Sequence, residues 1–271
     1  MRYHIVAIDL SLGLGLPVKL DSRSPRLWFS GNLLSSPPVA RTLEEMRDML
    51  LDPGVKGPSK IYNMYRDVRL PGDEDVIRSH GLRFDITVIR SGFLGREYMK
   101  TAGHYHPMLP GQGISYPEVY DVIHGGAWYL LQKVRSLVDP RRVTDVVKIE
   151  ARRGDRVVIP PNYGHVTVNP YKTPLVMADV TASGFQSIYS PFRRLRGASY
   201  HLVLEGRRPT WLPNPSYLGH PEVREVRPAG LSGVGVPRSM STYRALIDRP
   251  AAFEFLTKPA RHKDFLNAFL D

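Results

Sequence analysis

The chain has 271 residues, 42% of them apolar, enough for one full hydrophobic core, and it contains no cysteine, which excludes disulfides, thiolate metal ligands and cysteine nucleophiles. Any metal must therefore be held by imidazole or carboxylate. The net charge of +11, from 37 Lys and Arg against 26 Asp and Glu, attracts anions; the basic residues fall in scattered pairs such as Arg141-Arg142 and Arg193-Arg194, which argues against nucleic acid and for a small anionic partner.

In chain order, the run Ile5 to Leu16 is broken by Asp9 and glycines and lacks a basic cluster and a cleavage site, so it reads poorly as a signal peptide. No stretch reaches the roughly 18 uncharged apolar residues of a membrane span, and a cytoplasmic protein is expected. Strand-like pieces at Tyr3 to Ile8 and Arg26 to Phe29 predict an arm or first sheet layer. Thr42, with Glu44, Glu45, Met46, Met49 and Leu50 after it, predicts a short surface helix with an N-cap and an acidic first turn, stopped near Asp52-Pro53-Gly54. Between Ile61 and Gly206 come runs rich in Val, Ile, Tyr and Thr: Ile61 to Val68, Arg83 to Ile89, Val119 to His124, Trp128 to Val134, Val143 to Ile149, Arg156 to Ile159, His165 to Val168 and Leu175 to Val180. Such spacing, punctuated by Gly and Pro, predicts an all-β sandwich or closed barrel. Pro209, Pro213, Pro215, Pro221 and Pro228 then suggest a linker draped over the barrel. A helix capped by Ser241 or Thr242 follows, with further helical spacing over Ala251 to Leu256 and Phe265 to Leu270. The expected division is an N-terminal arm and helix over 1–60, a barrel over 61–206, and a linker with a helical tail over 207–271. Phe253, Phe255, Phe265 and Phe269 are expected in the core or a dimer contact.

The residues that carry chemistry lie in two segments. Alternate side chains of a strand share a face, so His104 and His106 point into one space. Glu118 follows after eleven residues and Gly125 six further on. The second segment reads Gly154, five residues, Pro160, then His165 and Asn169. Three neutral imidazoles and a carboxylate suit a divalent first-row metal, with positions left for water or substrate oxygen; Zn, Fe, Mn, Ni and Co are all compatible. His124 and His201, without motif partners, are expected in structural roles, and Asn169 is expected to brace its strand.

Together these segments resemble the two-part signature of the cupin superfamily, with a long gap before Glu118 and with Asn162 where glycine is common. The resemblance implies a jelly-roll β-barrel with a short N-terminal helix and a helical C-terminal extension. The flanking strings Phe84-Asp-Ile-Thr87-Val, Gly95-Arg-Glu-Tyr-Met-Lys100-Thr101-Ala-Gly103-His104-Tyr-His106, Pro117-Glu118-Val-Tyr120 and His165-Val-Thr-Val-Asn169 are similar to the cupin-type glucose-6-phosphate isomerases of archaea, from about Ala40 to about Tyr189. That likeness implies one divalent metal ion per chain (Fe, Mn, Ni or Zn) on His104, His106, Glu118 and His165. It implies sugar-phosphate contacts from Tyr62, Thr87, Thr101 and Gly103, with Tyr189 as a further candidate. Glu118 is then the expected proton carrier and Tyr120 its neighbour in the cavity. The expected activity interconverts glucose 6-phosphate and fructose 6-phosphate; the alternatives are another phosphosugar isomerase or epimerase, such as one for mannose 6-phosphate, and a non-catalytic sugar-binding cupin. A homodimer is expected by analogy with other cupins.

Overall fold

Along Leu82–Ile89 the side chains alternate between Phe84, Ile86 and Val88 on one side and Arg83, Asp85 and Thr87 on the other, and the whole strand is nonetheless buried except for Arg83. A strand shielded on both faces belongs to the middle layer of a fold, and the computed structural model, which describes residues 7–21 and 24–270, has that form. The part of the predicted first strand over residues 3–6 lies outside the described residues.

Seventeen described strands follow in chain order: β1 Ala7–Asp9, β2 Val18–Asp21, β3 Leu27–Phe29, β4 Val39–Thr42, β5 Lys60–Tyr65, β6 Leu82–Ile89, β7 Phe93–Leu94, β8 Glu97–Tyr98, β9 Glu118–His124, β10 Gly126–Val134, β11 Val143–Arg152, β12 Arg156–Ile159, β13 Tyr163–Val168, β14 Leu175–Ala182, β15 Tyr200–Glu205, β16 Arg208–Pro213 and β17 Val223–Val226. An antiparallel sheet in the order β12-β9-β14-β6-β5-β4 faces a second sheet, β13-β10-β11-β17, and side chains from both fill one core. This is the expected jelly-roll barrel. Two smaller sheets, β16-β15-β8-β7 and β1-β2-β3, flank it.

The outward face of the six-stranded sheet carries a second apolar cluster. Phe84, Ile86, Val88, Val119, Val176 and Val180 are covered by Leu14 and Leu20 of the N-terminal arm and by Tyr243, Leu246, Phe253 and Phe255 of the tail. Arm and tail thus close the same surface. A polar clasp fixes the tail: Arg156 Nε donates to Thr242 Oγ1 at 2.9 Å, and that hydroxyl donates to Asp121 at 2.6 Å. The tail aromatics Phe253, Phe255 and Phe269 are buried, as expected of core residues.

Three local expectations need refinement. The helix after Thr42, Leu43–Met46, has a full capping box with Glu45, but it is not a surface helix, because Leu43 and Met46, with Met49 and Leu50 beyond them, enter the barrel core. The Pro-rich stretch after Gly206 is not all linker: β16 pairs with β15, and β17 runs parallel to β11. Pro209 and Pro213 sit on β16 at the edge of its sheet, where a missing N–H is tolerated. Part of the tail, Pro250–Leu256, winds as a 3₁₀ helix. Among the described residues no helix is long and apolar enough to cross a membrane.

Candidate active site

Four side chains from three places in the barrel converge. Glu118 opens β9, His165 lies in β13, and His104 and His106 come from the segment between β8 and β9. The backbones of His104 and His165 pair directly, His165 N–H donating to the His104 carbonyl at 3.0 Å and His104 N–H returning the bond at 3.2 Å, so the two halves of the motif are clamped together. One ligand atom from each of the four residues lies within 4.8 Å of the other three.

The long gap before Glu118 does not displace it. Residues 108–115 form a small hairpin in which Leu109 N–H donates to the Ile114 carbonyl at 2.8 Å. Ser115 and Asn162 exchange two hydrogen bonds, tying that hairpin to the second motif. Asn162 adopts φ of 70°, the left-handed geometry that Asn tolerates best after glycine. Glu118 Oε2 then sits 3.4 Å from His106 Nε2 and 3.2 Å from His165 Nε2.

The protonation states suit a cation. His106 Nδ1 donates to the Tyr116 carbonyl at 2.9 Å, and His104 Nδ1 approaches the Ala102 carbonyl at 3.3 Å; a carbonyl only accepts, so each ring is left with an Nε2 lone pair. Burial, with His165 beside it, pulls His106 down to about 4 and holds His104 well below the ordinary imidazole value. Burial pushes the Glu118 carboxyl up, but His165 and the other two imidazoles around it outweigh this and hold it below the usual range. Glu118 Oε2 has no well-formed hydrogen bond although it is fully enclosed. A buried anionic oxygen among neutral imidazole lone pairs fits a divalent metal ion, which all four residues can hold together.

His104, His106 and Glu118 of the cluster line a cavity of about 430 Å³ that also includes Tyr62, Thr87, Thr101, Tyr120 and Tyr189. Tyr120 Oη lies 3.2 Å from His165 Nε2, and burial with Glu118 nearby keeps its phenol protonated. Tyr62 Oη accepts from the Ala102 N–H at 3.2 Å and lies 3.4 Å from Arg41 Nε. That guanidinium also sits over the Tyr189 ring, 5.3 Å from its centre. Thr101 Oγ1 accepts from Thr167 N–H at 3.0 Å, so its own proton is free to donate. Gly103 lies just outside: a Cβ there would fall 2.3 Å from the Phe192 ring, so packing against Phe192 demands the glycine.

Residues 49–214 match the sequence profile of the glucose-6-phosphate isomerase (GPI) family. The chain belongs to this family. It is 25% identical over 184 residues to glucose-6-phosphate isomerase of Thermococcus gammatolerans, spanning 66% of this chain and 87% of that protein. It is 26% identical over 165 residues to the enzyme of Thermococcus litoralis, spanning 59% and 74%. Among solved structures, oxalate decarboxylase of Bacillus subtilis overlaps 49% of this chain and 29% of its own at 16% identity and a TM-score of 0.34, and 7S globulin of Momordica charantia overlaps 50% and 35% at 19% and 0.35.

In this member of the isomerase family the cavity wall holds every residue expected from the sequence except His165 and Gly103, together with charged residues that were not expected there. Arg66, Arg83 and Asp179 also line it. Arg66 and Arg83 both bind Asp85, at 2.5 Å and 3.0 Å, and Asp85 also accepts from the Asp67 N–H at 2.8 Å. Burial, then the negative charges of Glu118 and Asp85, raise the Asp179 carboxyl well above its ordinary value. The sequence signal was available: Asp is rare in mid-strand, and Asp85 and Asp179 each interrupt an apolar run. His201 is buried against Glu97, and Asn169 ties its amide to the carbonyls of Arg90 and Thr173, both structural as expected.

Proposed function

We propose that the chain interconverts glucose 6-phosphate and fructose 6-phosphate with one bound divalent ion, Fe, Mn, Ni or Zn. The observation that carries this reading is the convergence of His104, His106, Glu118 and His165 beside a cavity whose wall also carries the hydroxyls of Tyr62, Thr87, Thr101, Tyr120 and Tyr189. Those four residues hold the ion, which when bound supplies Lewis acidity to the sugar oxygens at C1 and C2. Glu118 carries the proton between the two carbons by sharing its carboxylate between the ion and the substrate. Tyr120, protonated and beside His165, orients the carboxylate and the C1–C2 end of the sugar.

Tyr62, Thr87 and Thr101 receive the phosphate through their hydroxyls, with Tyr189 and the Gly103 N–H as further contacts. Arg41 adds positive charge beside Tyr62 and Tyr189, which favours the phosphate at that end. Binding energy collected there orients the reacting carbons at the other end. In this reading the enzyme works as a homodimer in the cytoplasm, and sedimentation of the purified protein measures the first of these.

A coupled assay tests the activity. Protein stripped by a chelator is expected to be inactive, and one of Mn, Fe, Ni or Zn to restore turnover of both sugars. Absence of turnover with every ion, in protein that still melts cooperatively, refutes the isomerase reading; turnover of mannose 6-phosphate in preference to both sugars reassigns the substrate.

A further inference from the structure

The registers of β9, β14 and β6 arrange the cavity floor in rows two residues, about 6.8 Å, apart. Thr181 lies beside Glu118 and Arg83, Asp179 beside Tyr120 and Asp85, and Met177 beside Thr87. Asp179 therefore occupies the middle of the floor, one row from the carboxylate of the imidazole cluster and one row from Thr87.

Its neighbours do not use it. Arg66 Nη1, Arg83 Nε and the Asp67 N–H all donate to Asp85. Asp179 is 4% exposed and lines the cavity, and its carboxyl makes no hydrogen bond or ion pair among the described residues. Enclosing a polar group without a partner destabilises a fold, so such a group in a binding cavity points to a ligand that completes it. A sugar phosphate stretched from the threonine end to the imidazole end would pass its middle carbons over this position, where vicinal hydroxyls match the two oxygens of a carboxyl.

We propose that Asp179 is a substrate-binding residue whose carboxyl hydrogen-bonds the C3 and C4 hydroxyls of the sugar and so sets the requirement for hydroxyls at those carbons. This rests on the phosphosugar reading above. It assigns the cavity three tasks in sequence along one sheet: phosphate at Thr87, hydroxyl recognition at Asp179, chemistry at Glu118. A site built to hydrogen-bond a hydroxyl rejects analogues that lack it far more strongly than an apolar pocket does.

Calorimetric titration of the metal-loaded protein tests the assignment. The probes are 6-phosphogluconate, which carries both hydroxyls and cannot isomerise, its 3-deoxy and 4-deoxy analogues, and inorganic phosphate. In Asp179→Ala the affinity for 6-phosphogluconate is expected to fall about ten- to hundredfold, with phosphate binding within about twofold of the parent and a melting temperature no lower. The deoxy analogues should bind more weakly than 6-phosphogluconate to the parent and about equally with it to Asp179→Ala, the non-additivity expected of a direct contact. Asp179→Asn, closer in shape, provides the same comparison if the alanine variant folds poorly. Unchanged affinity for 6-phosphogluconate, or the same deoxy penalty in parent and variant, overturns the inference and leaves the isomerase reading standing. Loss of phosphate binding together with a lowered melting temperature assigns Asp179 to structure and also overturns it. If the parent itself binds 6-phosphogluconate no better than phosphate, the phosphosugar reading falls and takes this inference with it.

Discussion

The two faces of the six-stranded sheet carry opposite chemistry. Toward the barrel interior stand Glu118, Tyr120, Arg83, Asp85, Thr87, Asp179 and Thr181, a polar surface around a cavity. Toward the outside stand Phe84, Ile86, Val88, Val119, Val176 and Val180, with no exposure above 1%. A strand reading apolar at every second position is ordinarily taken to turn its apolar side to the barrel core. Here the interior is partly given over to charged and hydroxyl groups, and the arm and tail supply the missing half of the core on the other side. One sheet thus separates the polar cavity from the apolar packing that stabilises the fold.

The sharpest way to break this comparison is to substitute one residue on each face and read both activity and stability. On the inner face, Glu118→Ala is expected to lower kcat by three orders of magnitude or more, since in the proposed mechanism it removes a ligand and the proton carrier together, with little effect on the urea midpoint of metal-free protein. Retained turnover would mean that the inner face is not the reacting one. On the outer face, Phe253→Ala, fully buried against the sheet, is expected to cost about 3 to 5 kcal/mol of unfolding free energy. The folded fraction should keep kcat within about twofold. A large kcat loss without destabilisation would show that the faces are not separable.

A smaller effect sharpens the contrast by placing a structural charge away from both faces. Glu97 is buried and accepts from Lys100, from His201 Nδ1 at 2.7 Å and from the Leu51 N–H at 2.9 Å. Burial pushes its carboxyl up, but Lys100 and His201 outweigh this and bring it down to about 2. Its folded value lies below its unfolded one, so its stabilisation is complete above the ordinary carboxylate value and fades as pH falls from about 4.5 toward 2. That loss is on the order of 3 kcal/mol at most. Urea titrations of parent and Glu97→Gln over this interval should show a flatter decline in the variant; equal slopes would remove Glu97 as the acid-labile group.

Much of the inner face was legible in the chain because its residues sit at local spacings. His104 and His106 share a strand-like face, the eight strand runs between Ile61 and Val180 fall where strands form, and Thr42 with Glu44 and Glu45 announces its helix by an N-cap and an acidic first turn. The outer face was less legible, since nothing local to Phe84, Ile86 and Val88 says that Leu14 and Phe255 will cover them. Asp179 was missed for a related reason: its meaning depends on Tyr120 and Asp85 lying across from it, a register that no single segment declares. The strands after Gly206 escaped because Pro-rich sequence is an unusual edge of a sheet.

The tail's role has a consequence for how the protein comes into being. Tyr243 Oη donates to Asp73 at 2.6 Å and accepts from the Leu70 N–H at 2.9 Å, closing a loop of some 170 residues over the outer face. During translation, the barrel strands emerge from the ribosome well before the segment that covers them. A nascent chain halted near residue 220 would display the apolar backs of β6, β9 and β14 to solvent, the kind of surface that chaperones hold and that aggregates when left unattended.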